Sequence, residues 1–284
     1  MDSRKNFSVN PFTFRGVASF AHAPFWGLAA ISLSLALLLS GLALHWVNRA
    51  IIPPIRQAVE GLPTQAQLKA GILTWPEAAG PLLCEGPFLS LAVNPSDSRL
   101  MGQSADFQLD FRRDRFLLRT VLGEWSYSYD DRWALSLARA EVEPWWGAWQ
   151  PFIQGGVFIG TFLFLQLSWL GLSIGASFFV RGSGVMLRRN IAWLGSWQLS
   201  YAALFPGAML MGLAIILYTT LQLSLTGLMI LMPTHLIVGL LYLIGGTVVL
   251  PPRAREVSRI PNPFGSRPDP TKKLKSGRKN PFRD

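Results

Sequence analysis

Two rhythms of apolar residues alternate along the chain. The stretches 24–46, 152–180 and 190–250 contain no Asp, Glu, Lys or Arg. A helix needs about 20 apolar residues to cross a hydrocarbon core roughly 30 Å thick, so the first two stretches predict one crossing each. The third is too long for one. The polar, small-residue patch Thr219–Gly227 (TTLQLSLTG) divides it and predicts crossings at 191–218 and 228–250. The expectation is an α-helical polytopic membrane protein with four transmembrane helices and a small α+β domain between the first and second.

That domain, 47–151, follows the second rhythm. It opens with Val47, Ile51, Ile52, Ile55 and Val59 at near-helical spacing, where Pro53 and Pro54 end one helix or begin another. Strand signals follow. Phe107, Leu109 and Phe111 alternate with Gln108 and Asp110, the period of a half-buried strand. GILTW, FLSLAVN, RFLLRTVLG and EWSYSYDD read the same way, the last two as a hairpin turning at Gly123-Glu124. The spacing predicts about four or five strands, enough for one small core.

Charge adds orientation. The formal net charge is +10, yet the basic excess lies entirely outside 47–151, which holds ten basic and twelve acidic residues. The segment 1–23 holds three basic residues against one acid, the loop 181–190 three against none, and the tail 251–284 ten against three. Short basic segments stay in the cytoplasm. Both termini are therefore expected inside, 47–151 and 219–227 outside, and 251–284 as a disordered basic tail. The first apolar run reads as an uncleaved signal anchor, being longer than a signal-peptide core. The basic excess lies in Pro- and Lys-rich sequence beside a membrane, so the lipid bilayer is its expected partner and nucleic acid is not. A single cysteine, Cys84, excludes an intrachain disulfide.

Candidate chemistry is sparse. His235 lies in an apolar run two residues after Pro233, and an ionisable group inside a bilayer is a functional candidate by default. No acid, base, cysteine or second histidine accompanies it at that depth. A neutral ring bonded to a carbonyl freed by Pro233, to Thr234 or to Tyr201 accounts for it without chemistry. Pro206-Gly207 breaks the third crossing, as substrate-binding helices of transporters are broken. In the outside domain Trp125, Tyr127 and Tyr129 alternate with serines and form an aromatic stripe, either part of a core or a stacking surface for a flat ligand. Trp145, Trp146 and Trp149 read as an interfacial belt. Gly156, Gly160, Gly171 and Gly175 recur at the spacing of close helix packing. The Asn-Pro-Phe triplets at 10–12, 262–264 and 280–282 read as turns. No nucleotide-binding loop, hydrolase elbow, zinc-protease or paired-cysteine motif is present, so neither a cofactor nor a metal nor catalysis is expected.

The stretches FTFRGVASFAHAPFWGLA, EGLPTQAQLKAGILTW and FLSLAVN resemble a bacterial family of membrane proteins carrying a domain of unknown function, with an extracytoplasmic domain between helices one and two. The membrane half, with Tyr201, Ala202 and Pro206, resembles the Yip-type membrane proteins. The resemblance covers about residues 8–250 and implies no established activity, cofactor or catalytic residue. Yip-type relatives are implicated in membrane trafficking and lack the outside insertion. The resulting expectation is a non-enzymatic protein of the bacterial inner membrane, an accessory, assembly or sensing component of an envelope complex, meeting a membrane or envelope protein partner through its extracytoplasmic domain. The alternative is a small transporter or membrane-embedded enzyme using the bundle around His235 and Pro206.

Overall fold

The structure is a computed structural model that describes residues 10–93 and 104–252. Among these, four helices are long and apolar enough to cross a membrane: Phe25–Glu60, Arg139–Met186, Trp193–Thr219 and Leu225–Val249. A small β region lies between the first and second of them.

A short helix, α1 (Phe14–Ser19), comes first and runs into a 3-10 turn at Phe20–His22. The Thr13 hydroxyl caps α1 by accepting from the Gly16 N–H. Val17 and Phe20 of this segment are wholly buried in the helical core. The Tyr242 hydroxyl donates to the Phe12 carbonyl, tying this segment to the last helix. In the first Asn-Pro-Phe triplet the Phe12 N–H donates to Asn10 Oδ1, the turn expected there; the other two triplets and the basic tail lie outside the described residues.

Helix α2 (Phe25–Ala50) is followed at once by α3 (Ile52–Glu60), whose first turn carries Pro53 and Pro54. Proline lacks an N–H but needs none in a first turn, so the pair starts a helix that it would break further along. Helix α4 (Arg139–Met186) runs for 48 residues, past both ends of the charge-free stretch 152–180, and takes in the tryptophan belt and Arg181. The third crossing is two helices, α5 (Trp193–Ala202) and α6 (Phe205–Thr219), broken just before Pro206 as the sequence predicts. Helix α7 (Leu225–Val249) keeps Pro233 in its interior. Side chains on α2, α4 and α5 meet in a polar knot: the Ser32 and Tyr201 hydroxyls lie 2.8 Å apart, and Gln166 Oε1 is 3.1 Å and 3.0 Å from them. Such bonds hold helices together where lipid supplies no hydrophobic drive.

Gly156, Gly160, Gly171 and Gly175 have open space where a Cβ would stand, so their expected packing role is not met within this chain. Close approach occurs elsewhere. A Cβ on Gly207 would lie 2.3 Å from the His235 carbonyl oxygen, and one on Gly195 would lie 2.6 Å from that of Ala21.

Among the described residues the β region has eight strands, more than the four or five expected. β1 (Gln67–Lys69), β2 (Ile72–Thr74) and β8 (Ala134–Ser136) form one sheet in the order β2-β1-β8. β3 (Leu82–Glu85), β4 (Leu89–Val93), β5 (Phe107–Phe111), β6 (Arg115–Thr120) and β7 (Gly123–Ser128) form the other, in chain order. The added strands are three or four residues long, too short for a periodic signal. β1 and β2 join through Ala70-Gly71, both at positive φ, the turn that matches strand twist. The β6–β7 hairpin turns at Val121-Leu122, because Thr120 pairs with Gly123; the turn comes earlier than Gly123-Glu124. The β region meets the bundle through packed rings of Trp46, Phe88 and Tyr218, beside which the Tyr218 hydroxyl donates to Asp106 Oδ2 at 2.6 Å.

Candidate functional site

The register of the larger sheet places Leu82, Leu91, Val93, Phe111 and Phe116 on one face, since residues paired across strands share a side. The smaller sheet brings Leu68 and Leu73 against that face, held by the Leu73 N–H donating to the Arg113 carbonyl at 2.7 Å. From the side of α3, Ala58 and Leu62 complete the walls. These side chains surround an apolar chamber of about 300 Å³.

Its chemistry is uniform. Trp75 contributes its ring while its Nε1–H donates to the Gly80 carbonyl at 2.7 Å. Tyr129, 9% exposed, does likewise, its hydroxyl donating to the Arg112 carbonyl at 3.1 Å. Burial, with the charges of Asp110 and Asp114 adding to it, raises the Tyr129 pKa and keeps that hydroxyl a donor. Trp133, half exposed, stands beside the chamber. Water finds no hydrogen bonds against such walls. The arrangement favours an apolar occupant and offers no group for acid–base or nucleophilic work.

The aromatic stripe divides accordingly. Tyr129 belongs to the chamber wall and to the core. Trp125 and Tyr127, 39% and 49% exposed, sit on edge strand β7 opposite Leu118 and Phe116, on the same sheet face but beyond its cover. Tyr127 stacks on the Phe116 ring at 5.2 Å, which in turn meets Tyr129 at 6.3 Å. The three do not converge on one ligand surface. The chamber-lining residues of β1, β3 and β8 escape sequence reading, because strands of three or four residues carry no period. Between β5 and β6 the chain turns over residues 112–114, and Arg112 lies 3.2 Å and Arg119 3.8 Å from the buried Asp110 carboxylate.

His235 is placed differently from expectation. Its Nδ1 is buried and has no hydrogen-bond partner among the described residues. Tyr201 is engaged by Ser32 and Gln166, and the Thr234 hydroxyl donates to the Ile230 carbonyl. Pro206 opens α6, and Gly207 beside it packs on the His235 backbone, so the two candidates adjoin through main chain rather than side-chain chemistry. No group of three or more His, Cys, Asp or Glu side chains that could hold a metal occurs among the described residues. No known protein family, curated protein or solved structure matches this chain.

Proposed function

We propose that this chain is a non-enzymatic integral membrane protein of the bacterial inner membrane whose extracytoplasmic α+β domain captures an acyl chain, acting as an accessory, assembly or sensing component of an envelope complex. The observation that carries the reading is the apolar chamber, lined without a polar side and joined by α3 to a membrane helix. Segregation of the basic residues to 1–23, 181–190 and 251–284 supports an outside position for the domain and a cytoplasmic one for both termini. An acyl-bearing membrane or envelope protein, or a lipid, is the partner such a chamber accommodates.

Photo-crosslinking tests the reading directly. The purified full chain in detergent, irradiated with a diazirine-bearing fatty acid, is expected to give adducts on the peptides containing Leu68–Val93 and Phe107–Leu137. Ala58→Trp fills the chamber from the α3 side and is expected to remove those adducts, with thermal melting verifying that the protein remains folded. Absence of adducts in the parent chain, or their survival at full yield in Ala58→Trp, overturns it.

A second reading, a small transporter or membrane-embedded enzyme around His235 and Pro206, draws on one observation, the unpartnered His235 Nδ1 beside a broken helix. It requires that His235→Asn and His235→Gln both abolish function at normal membrane abundance.

A further inference from the structure

A polar groove of about 380 Å³ lies where α2, α3 and α4 meet, distinct from the chamber. Its side chains are Asn48 of α2, Arg56, Gln57 and Glu60 of α3, and Gln150 and Gln154 of α4. Sequence sets its depth. Asn48 comes two residues after the charge-free stretch 24–46 ends, and Gln154 lies just inside the start of 152–180. On the same helix the exposed rings of Trp145, Trp149 and Phe152 form a belt of the kind that marks a membrane–water boundary. The groove therefore stands at headgroup level.

Its charges are only partly engaged. Arg56 and Glu60 stand one helical turn apart, the spacing of an ion pair, yet form none. Arg56 makes one long bond, 3.4 Å to Gln150 Oε1. The Glu60 main-chain carbonyl accepts from Arg139; that guanidinium is 3.0 Å from Glu143 and also feels the Glu60 charge, with no direct ion pair to Glu60. Gln154 donates to Asn48 Oδ1 at 2.8 Å, which leaves the Asn48 and Gln150 amide N–H groups as donors among the described residues.

We propose that this groove binds the headgroup of a phosphoethanolamine lipid. A guanidinium flanked by carboxamide donors suits a phosphodiester, and a carboxylate one turn away suits a primary ammonium that donates hydrogen bonds. The groove matches a zwitterion, one cation and one anion. A choline headgroup brings a cation without N–H, and a glycerol headgroup brings no cation for Glu60. The inference rests on the membrane setting alone and not on an occupant for the chamber.

The test is competitive lipid retention by the full-length protein. After delipidation in detergent it is offered equal amounts of phosphatidylethanolamine, phosphatidylglycerol and phosphatidylcholine with matched acyl chains, and bound lipid is read by native mass spectrometry. The parent chain is expected to retain phosphatidylethanolamine in several-fold excess. Arg56→Gln removes the charged phosphate donor and is expected to lower total retained lipid about tenfold, the effect of losing one charge-assisted bond. Glu60→Gln is expected to keep total retention while the preference for ethanolamine over glycerol and choline headgroups disappears. Both side chains are solvent-exposed, and melting in lipid-free detergent verifies that each variant is folded. Equal retention of the three lipids by the parent chain overturns the proposal, as does an ethanolamine preference that survives in Glu60→Gln. Soluble phosphoethanolamine bound as tightly as the lipid also overturns it. Ala58→Trp, which blocks the chamber, is expected to leave the preference intact, so failure of one reading does not mask the other.

Discussion

Two side chains carry residue-scale predictions with opposite logic. Asp130 is partly exposed, and the Arg132 guanidinium and backbone N–H bond its carboxylate and hold its pKa at about 2. A depressed carboxylate contributes stability that is fully present above its unfolded pKa, about 3.9, and is lost as pH falls through the folded value. The contribution is small, because the pair is solvated. Arg132→Gln is therefore expected to move the Asp130 titration back toward about 4, measured by carboxyl carbon NMR on Asp-labelled protein. An unmoved titration would remove Arg132 as the cause. At His235 the structure offers a buried ring nitrogen with no partner among the described residues, and such a polar atom costs about 1–3 kcal/mol. His235→Leu removes that atom and is expected to melt no lower than the parent chain. His235→Asn leaves an amide to be satisfied and is expected to melt lower. Loss of function in His235→Leu at normal abundance would show instead that the ring does chemistry.

At the scale of elements, helix packing separates two classes of glycine that sequence spacing cannot. Gly207 lies where α6 meets the α7 main chain, and a Cβ there has no room beside the His235 carbonyl. Gly207→Ala is expected to destabilise the bundle by about 1–3 kcal/mol, the cost of overpacking. Gly160 sits in open space on α4, so Gly160→Ala is expected to be neutral or to gain up to about 1 kcal/mol in helix propensity. Thermal melting in detergent measures both, and a destabilising Gly160→Ala would reveal contacts outside this chain. The same limit applies to strands. β4 and β5 are legible because five residues alternate or run apolar; β1 and β8 are not, because three residues carry no period and pairing defines them, β1 with β2 and β8, and β8 with β1.

The whole molecule adds a constraint on how its orientation is measured. Cys84 is 1% exposed, and burial raises its thiol pKa, so it is neither accessible nor ionised enough to react readily. An impermeant maleimide is expected to leave the folded parent chain unlabelled on either side of a membrane. Moving the thiol to the exposed hairpin, as Glu124→Cys in a Cys84→Ala background, is expected to give labelling in intact cells if the β region is outside. Labelling only after the membrane is opened would reverse the proposed orientation.

Sequence alone determined the four long apolar helices, the break before Pro206 and the helix restart at Pro53-Pro54. Each follows from a local rule: the length of an uncharged run, or the missing N–H of a proline. The strand alternation of FQLDF likewise needs only neighbours in the chain. Tertiary structure decided which apolar positions become core, burying Val17 and Phe20 while leaving Trp125 and Tyr127 half exposed, because burial depends on what packs opposite. It alone made the chamber, whose walls come from α3, both sheets and Tyr129. It alone made the headgroup groove, which joins residues 48 and 154 from two helices. A cavity is the space that distant segments fail to fill, and no local pattern along a chain encodes it.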